Sequence, residues 1–288
     1  MSSIRALYDG SRPVFSCEIY PPKKDADFTD INNKLSELKE IGPDFISVTY
    51  GAGGSNAGKA LEIASRAKNV CDLEVLSHIT SVGFDRARLE EGLKSFRDNN
   101  IDNVLALRGD RPKAMTDEEF DRRDFIHASD MASFIKMEYP DFTIAGACYP
   151  EKHFEAPDLE TDAANLKIKA DSGVSFFISQ LFFDNDTFLK LLDRMKKRDI
   201  NVPVSAGIMP ITSAKMLGNT VTLSGTSVPK ALSDIIAKYG EDPEGMKEAG
   251  ISYAIKQAEN LLKEGVDGIH LYIMNKPWLA KQIFEAIR

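Results

Sequence analysis

The segment Val104-Leu105-Ala106-Leu107-Arg108-Gly109-Asp110 is a short apolar run that ends in charged residues. Seven other segments have a similar form, and they recur roughly every thirty residues, the length of one strand and one helix in a barrel unit. Most of these runs are followed by residues with helical periodicity. The other runs are residues 14–17, 45–48, 75–77, 143–148, 176–179, 204–206 and 268–271.

Continuous apolar strands are typical of a parallel sheet that is covered on both faces. Eight units of one strand and one helix therefore predict an α/β fold of the (β/α)8 type, a TIM barrel. In this fold the carboxyl ends of all strands meet at one mouth, so polar residues that follow different strands come together. The polar residues expected at this mouth are Glu18, His78, Asp110, Tyr149 and Gln180.

Length and composition are consistent with one barrel. The chain has 288 residues, and a barrel of this type uses about 250, so we expect a single domain over residues 1–288. The formal net charge is −8 without a sustained run of Lys or Arg, which argues against a nucleic-acid partner. No segment approaches the roughly 18 apolar residues that cross a bilayer, and residues 1–13 lack a signal-peptide pattern, so the expected location is cytoplasmic.

The cysteines and histidines do not form a metal-binding pattern. The three cysteines are widely spaced, which favours buried thiols over a disulfide framework or a zinc site. His78, His127 and His153 are predicted to lie in loops at the mouth, but they lack the spacing of a metal triad. We therefore expect no metal.

Two segments depart from the simple repeat of strand and helix. Residues 113–124 are rich in charge and lack periodicity, so they are predicted to form a long loop that covers or builds a site. Residues 210–266 are more than one unit requires. They predict one extra helix around residues 231–239, followed by a packing helix that contains Ala254, Ala258 and Leu261.

Glu18 is a candidate for acid–base chemistry. It lies within an apolar segment, residues 15–20, just before Pro21 and Pro22. A carboxylate in such surroundings loses hydration, which raises its pKa and suits it to donate a proton near neutral pH. The alternative is a surface glutamate at a strand end, or one paired with an arginine.

The segment Arg108-Gly109-Asp110 places opposite charges at one strand end. A surface turn held by an ion pair is the plain explanation. At a barrel mouth, Asp110 would instead accept hydrogen bonds from a nitrogen-rich ring, and Arg108 would contact a phosphate or carbonyl group.

Tyr149 and the helix that follows it supply further polar groups. Asp162, Asn165 and Lys169 have helical spacing and share one face, which is either a solvated face or a contact for the ribityl or phosphate chain of a ligand. Gln180 interrupts an apolar segment. Because an amide is costly to bury unpaired, Gln180 either bonds within the barrel or binds a substrate.

Nine segments carry a family resemblance. In chain order they read FSCEIYPPK, ISVTYGA, SHIT, ALRGD, ACYPEKHFEA, DAANLKIKADSG, ISQLFFD, AGIMP and HLYIMNK, and they extend over essentially the whole chain. In this order and spacing they resemble the methylenetetrahydrofolate reductase family. Members of this family are flavoproteins that reduce methylenetetrahydrofolate to methyltetrahydrofolate.

The resemblance implies a ping-pong reaction in which hydride passes from a nicotinamide or other donor through flavin N5 to methylenetetrahydrofolate. Glu18 matches the general acid of the family, and Asp110 matches a catalytic aspartate near the flavin and the pterin. The expected cofactor is FAD, with FMN as the alternative, and the expected donor is NADH or NADPH. The positions that match flavin contacts are Thr49, Tyr50, Ala52, His78, Arg108, Gly109, Asp110, Ala128, Tyr149, His153, Ala156, Asp162, Asn165 and Lys169.

Several positions differ from the family pattern. Ile168 stands where the family has an arginine that contacts the phosphate chain of the flavin. Lys276 stands where it has a folate-contacting arginine, which keeps the charge but loses the bidentate fork. Met216 stands in place of a folate-binding glutamine, and Thr220 in place of an aromatic residue that packs on the substrate and the nicotinamide nucleotide. The residues expected at the folate are Glu18, Asp110, Gln180, Met216 and Lys276.

These differences leave two alternatives open. One is a flavin- or folate-binding barrel subunit that needs a partner protein to deliver electrons. The other is a pterin-dependent methyltransferase barrel without flavin. The expected partners are methylenetetrahydrofolate and either a reduced nicotinamide nucleotide or an electron-donating protein subunit, and assembly into a homo-oligomer is also left open.

Overall fold

Eight parallel strands form a closed barrel in which consecutive strands pair and the last strand pairs with the first. The structure is a computed structural model, and it describes residues 3–22, 28–50, 57–112 and 114–288. The prediction of a TIM barrel is confirmed. The strands are β1 (Val14–Ile19), β2 (Phe45–Val48), β3 (Val75–Thr80), β4 (Asn103–Leu107), β5 (Thr143–Cys148), β6 (Phe176–Ser179), β7 (Val204–Ile208) and β8 (Gly268–Tyr272).

Helices surround the barrel and bury their apolar faces against its outer surface. A 3-10 helix, Ile4–Leu7, precedes β1. The α-helices are α1 (Phe28–Ile41), α2 (Ala57–Asn69), α3 (Arg86–Asp98), α4 (Asp117–Asp121), α5 (Ala128–Glu138), α6 (Leu159–Asp171), α7 (Asn185–Lys196), α8 (Ala214–Ser224), α9 (Lys230–Tyr239), α10 (Pro243–Lys263) and α11 (Pro277–Ile287).

All eight predicted apolar runs are strands, but β1, β3, β7 and β8 extend further at their carboxyl ends than predicted. Glu18 therefore lies within β1 and His78 within β3, not in loops after them. The sheet pairing explains the difference, because Glu18 is paired with Ser47 of β2 and with Tyr272 of β8. The side chains of Glu18 and His78 contact each other although β2 lies between their strands, so both point into the barrel.

The segment 113–124 contains a short helix, α4, which corrects the prediction of a continuous loop. Thr116 and Glu119 form a capping box at its start. Thr116 Oγ1 accepts a hydrogen bond from the Glu119 amide, and the Glu119 carboxylate accepts one from the Thr116 amide. The helix buries no side chain, so hydrophobic periodicity could not reveal it. The spacing T-x-x-E was the available signal.

The segment 210–266 contains three helices, one more than predicted. The expected extra helix is α9 and the expected packing helix is α10, whereas α8 was missed. Its ends are marked in the sequence, since the Ser213 side chain accepts a hydrogen bond from the Met216 amide and Gly225 ends the helix at a φ of 68°. The three helices share an apolar cluster that includes Leu217 and Leu232.

The interior of the barrel contains both apolar and polar side chains. Phe45, Leu76 and Phe176 belong to an apolar cluster that the 3-10 helix completes. Ser16 is paired with Phe45 of β2 and with His270 of β8, and both Ser16 and His270 are buried. The apolar cluster stabilises the barrel, and the carboxyl ends of the strands form the mouth where ligands of this fold bind.

Two expectations drawn from composition bear on the described structure. In the part of the chain that it covers, no helix combines the length and the apolar character needed to span a membrane. Cys17, Cys71 and Cys148 are buried free thiols, as predicted. Burial raises the pKa of the Cys148 thiol to about 12, so this group is not a thiolate near neutral pH.

Candidate active site

Glu18 and His78 lie together at the mouth of the barrel. Glu18 Oε2 is 3.6 Å from His78 Nε2. The His78 side chain is 8 % exposed, and that of Glu18 is 21 % exposed. Burial raises the pKa of Glu18 to about 8 and lowers the pKa of His78 to about 3, because each group loses hydration of its charged form. Near neutral pH the two groups are a protonated carboxyl and a neutral imidazole.

His270 of β8 is a buried histidine near His78. Its Nδ1 shares a hydrogen bond with Ser16 Oγ at 2.8 Å, and its Nε2 lies 3.5 Å from Ser47 Oγ. Burial, with a smaller contribution from the nearby His78, lowers the pKa of His270 to about 3. The ring is therefore neutral and links β8 to β1 and β2 beneath the mouth.

Tyr272 is a mouth residue that the sequence analysis did not select. Its hydroxyl donates a hydrogen bond to the Ser179 carbonyl at 2.8 Å. A Cβ on Gly207 would lie 2.3 Å from Ser179 O and 2.7 Å from Tyr272 Cε2, so the ring can lie here only because residue 207 is glycine. Tyr272 directly follows a predicted apolar run, as Tyr149 does. This position in the sequence could have predicted that Tyr272 lies at the mouth.

A cavity of about 390 Å³ opens beside the mouth, where β4 and β5 end and α5 and α6 begin. We call it the side cavity. Glu155 and Ile168 are among the residues that line it. It is also lined by eight of the residues that the resemblance assigns to the flavin: Arg108, Ala128, Tyr149, His153, Ala156, Asp162, Asn165 and Lys169.

Polar groups of the side cavity are held by bonds to the surrounding backbone. Lys169 Nζ donates to the Ala147 carbonyl at 2.7 Å, and burial lowers the pKa of this lysine. The His153 amide donates to Asp162 Oδ1 at 3.1 Å. The His153 ring lies edge-on to Tyr149, with centroids 4.9 Å apart. Burial raises the pKa of Tyr149 to about 12, so its hydroxyl remains protonated.

Arg108 is paired with Glu155 and not with the neighbouring Asp110. Arg108 Nη1 and Nη2 donate to the two carboxylate oxygens of Glu155, and the Nη2 bond is 3.0 Å long. Arg108 Nε is buried and has no hydrogen-bond partner among the described residues. Gly109 has a φ of 82°, and a Cβ there would lie 2.9 Å from Thr80 Cβ, so this turn requires glycine.

Several residues assigned to the flavin by the resemblance do not line the side cavity. His78, Gly109 and Asp110 belong to the mouth and its rim. Thr49 follows β2, and its amide donates to the Ile19 carbonyl at 3.0 Å. Tyr50 lines a different cavity, between α2 and α3, where its ring packs on Phe84 with centroids 5.3 Å apart. Ala52 lies outside the described residues.

The residues expected at the folate follow different strands but share one end of the barrel. Gln180 comes directly after β6, and its Oε1 accepts a hydrogen bond from the next backbone amide at 2.9 Å. Met216 lies in the first turn of α8, after β7, and Lys276 lies just before α11, after β8. Since the carboxyl ends of the strands meet there, these residues lie at the same end as Glu18 and Asp110.

Two of the differences from the family pattern have a clear structural setting. Ile168 lines the side cavity with 57 % of its surface exposed, so the cavity has an apolar wall at the position where the resemblance expects an arginine. Thr220 is 8 % exposed, and its hydroxyl donates to Met209 Sδ at 3.4 Å. Across the ranges that the structure describes, no three His, Cys, Asp or Glu side chains are placed to hold a metal ion.

Comparison with known proteins identifies the family. The family model of methylenetetrahydrofolate reductase matches residues 3–288. The chain belongs to the methylenetetrahydrofolate reductase family. The resemblance seen in the sequence is thereby confirmed.

Curated members of the methylenetetrahydrofolate reductase family show how the chain compares in length. Methylenetetrahydrofolate reductase (NADH) 1 of Arabidopsis thaliana is 34 % identical over 287 residues, which cover 96 % of this chain and 48 % of that protein. The 5,10-methylenetetrahydrofolate reductase of Escherichia coli is 30 % identical over 272 residues, covering 94 % and 90 %. The chain thus spans about half the length of the plant relative and most of the bacterial one.

A solved structure from Clostridium thermocellum shares the fold of this methylenetetrahydrofolate reductase family member. Its TM-score is 0.70 over 98 % of this chain and 96 % of that chain, at 14 % identity. It is an uncharacterized protein that binds two copies of 5-methyl-5,6,7,8-tetrahydrofolic acid. At this identity the likeness shows a common barrel and not a common ligand.

In this member of the methylenetetrahydrofolate reductase family, the mouth and the side cavity are adjacent. The carboxyl of Glu18 and the hydroxyl of Tyr149 both raise the pKa of Tyr272, although burial is the main cause. Tyr149 in turn lines the side cavity.

Proposed function

We propose that this chain reduces 5,10-methylenetetrahydrofolate to 5-methyltetrahydrofolate, with a bound flavin and a reduced nicotinamide nucleotide as the source of electrons. The observation that carries the proposal is the Glu18 carboxyl at the mouth, whose pKa is raised to about 8. The methylene group of the substrate bridges two nitrogens. When this bridge opens, one nitrogen must accept a proton as its bond to carbon breaks, and a carboxyl that is protonated near neutral pH can donate it.

The relatives support the substrate class. The plant and bacterial proteins that match the chain are both named for the reduction of methylenetetrahydrofolate, and the plant name includes NADH. The match to the bacterial relative covers about nine tenths of that protein, so the two chains are similar in length. A barrel of this size is therefore consistent with the whole proposed reaction.

The side cavity is suited to hold part of a flavin nucleotide. Its volume of about 390 Å³ falls within the range of about 300–1,000 Å³ that is usual for cofactor pockets. Arg108 Nε is a buried donor without a partner among the described groups, and Tyr149 and Asn165 add a hydroxyl and an amide. When bound, the flavin would carry hydride from the nicotinamide to the folate in two alternating half reactions.

Glu18 would supply the proton. His78 is its close neighbour, but a neutral imidazole with a pKa of about 3 does not take the proton from a carboxyl with a pKa of about 8. The proton therefore stays on Glu18 until a substrate nitrogen within reach becomes basic, as its bond to the methylene carbon breaks. His78 would thus lie beside Glu18 without changing its charge.

Asp110 would act through its charge. Its carboxylate is exposed in the turn after β4, and it contributes to the raised pKa of Tyr149, so its field extends to the side cavity. A fixed negative charge disfavours further negative charge beside it. Asp110 would thus favour the departure of hydride toward the substrate. Gln180, which follows β6, would hold the substrate by hydrogen bonds.

An anaerobic titration of the purified protein tests the proposal. We expect bound flavin that loses its absorbance with NADH or NADPH and recovers it when methylenetetrahydrofolate is added, with methyltetrahydrofolate as the product. A protein that binds no flavin would contradict the proposal and favour the methyltransferase alternative. If only dithionite reduces the flavin and methylenetetrahydrofolate reoxidises it, a partner protein must deliver the electrons.

A further inference from the structure

We infer that the Glu155 carboxylate competes for Arg108 with the anionic group of the ligand that binds in the side cavity. The inference rests on the proposed function, in which that ligand is a flavin nucleotide with one or more phosphates. Both terminal nitrogens of Arg108 are already bonded to the Glu155 carboxylate. A phosphate that makes a bidentate contact with this pair of terminal nitrogens must displace Glu155 to obtain them.

The positions of the two side chains agree with such an exchange. Arg108 follows β4 and Glu155 lies in the loop before α6, and both line the side cavity. The Arg108 side chain is 19 % exposed, whereas that of Glu155 is 49 % exposed. The Glu155 amide is bonded to His153 Nδ1 at 3.2 Å. The backbone at Glu155 is thus held, while its half-exposed carboxylate can turn into solvent.

Two other basic groups of the side cavity, Lys169 and His153, are poor substitutes for Arg108. Lys169 Nζ is bonded to a backbone carbonyl, and burial lowers its pKa. Burial also lowers the pKa of His153, so this imidazole is mostly neutral at pH 7. Glu155 and Asp162 balance the formal charges of Arg108 and Lys169. The cavity therefore has no net positive charge for a phosphate unless Glu155 moves away.

The contrary role for Glu155 is to hold Arg108 in position for the ligand. The two roles predict effects of opposite sign. If Glu155 competes, its neutralisation strengthens the binding of phosphate-bearing ligands. If Glu155 only orients Arg108, its neutralisation weakens their binding, because the guanidinium loses the partner that holds it.

The experiment uses the Glu155→Gln variant of the full chain, freed of bound flavin and titrated with riboflavin, FMN and FAD while flavin fluorescence is followed. We expect unchanged affinity for riboflavin, which has no phosphate, and about fivefold tighter binding of FMN and FAD. A fivefold change corresponds to about 1 kcal/mol, the size of a half-exposed ion pair. Weaker binding of FMN, equal binding, or the same gain for riboflavin would overturn the inference.

A matched control is Glu160→Gln, which removes the same charge five residues along. Glu160 is paired with Arg198 at 2.6 Å and does not line the side cavity. Its three flavin affinities should equal those of the unaltered protein.

If the proposed function is wrong, the flavin titrations give a different result. In that case no flavin binds to the unaltered chain or to either variant. Calorimetric titration with inorganic pyrophosphate then decides the inference alone. Tighter binding to Glu155→Gln than to the unaltered chain and Glu160→Gln supports competition, and equal binding to all three contradicts it.

Discussion

Glu18 Oε2 and His78 Nε2 lie 3.6 Å apart at the barrel mouth, yet neither side chain carries a charge near neutral pH. A carboxyl and an imidazole at this distance would form an ion pair in water. Burial drives the two pKa values in opposite directions, to about 8 and about 3, because each charged form loses its hydration. Burial thus preserves an acid at the mouth even though an imidazole lies beside it.

Replacement of Glu18 by Gln tests its role as the proton donor. The variant should reduce its flavin with the nicotinamide donor within about twofold of the normal rate. Reoxidation by methylenetetrahydrofolate should slow by about 10²–10⁴-fold, the usual contribution of a general acid. Anaerobic stopped-flow measurement of the two half reactions separates them. Exposed Glu37 on α1 offers the control Glu37→Gln, and equal loss of both half reactions in Glu18→Gln would refute the role.

The pH dependence of the folate half reaction follows from the raised pKa of Glu18. The carboxyl is protonated below about pH 8 and loses its proton above it. The rate should therefore be flat from pH 6 to 7 and fall about tenfold per unit well above pH 8. The Glu18→Gln variant should lack this fall. A rate that rises through pH 8 in the unaltered protein would show that Glu18 acts as a base.

Stability toward acid should depend on the buried histidines. His78 and His270 have pKa values lowered to about 3, whereas an unfolded histidine has a pKa near 6.5. Between these values the unfolded chain binds protons at the two histidines that the folded chain does not, so their contribution to stability falls as the pH falls below about 6.5. From pH 7 to pH 5 each histidine should account for about 2 kcal/mol of lost unfolding free energy.

Urea unfolding of the unaltered chain and of His270→Gln at both pH values measures this contribution. Glutamine retains a hydrogen-bonding group for Ser16 but does not titrate. The loss of stability on acidification should be smaller in the variant by about 1–2 kcal/mol. The same loss in both proteins would mean that His270 does not resist protonation in the folded state.

Gly207 should tolerate no side chain. A Cβ there would lie 2.3 Å from Ser179 O and 2.7 Å from Tyr272 Cε2. Gly207→Ala should therefore lower the free energy of unfolding by about 1–3 kcal/mol and displace the Tyr272 ring. The control is Gly218→Ala in α8, where a Cβ meets nothing within 4 Å and alanine should add about 0.5–1 kcal/mol. Equilibrium unfolding in urea distinguishes the two, and a neutral Gly207→Ala would contradict the close packing.

Most of the barrel could be predicted from local sequence, because a parallel strand covered on both faces must be apolar along its length. The eight runs met this condition, and their spacing indicated the helices between them. The elements that escaped prediction lack a strong periodic signal. α4 buries no residue. α8 lies within the long segment 210–266, for which only two helices were predicted. The local signals were the N-caps Thr116 and Ser213 and, for α8, Gly225 at its end.

The candidate site also has features that could be predicted from the sequence and features that could not. Polar residues at strand ends could be predicted to share a mouth, since barrel topology alone brings them together. Their partners could not be predicted. Asp110 is two residues from Arg108, yet Arg108 pairs with Glu155, which is 47 residues away. The direction in which each side chain leaves the backbone decides such a pair, and sequence distance does not contain it.

The fold class, the number of strands and the family could be predicted from the amino-acid sequence alone, because these depend on apolar periodicity and on short segments in a set order. The folded barrel was needed to establish the protonation of Glu18 and His78, the pairing of Arg108 with Glu155, and the contact of Tyr272 with Gly207. Each of these depends on distances between residues of different strands, and on how much water reaches them. Those quantities arise only when the barrel closes.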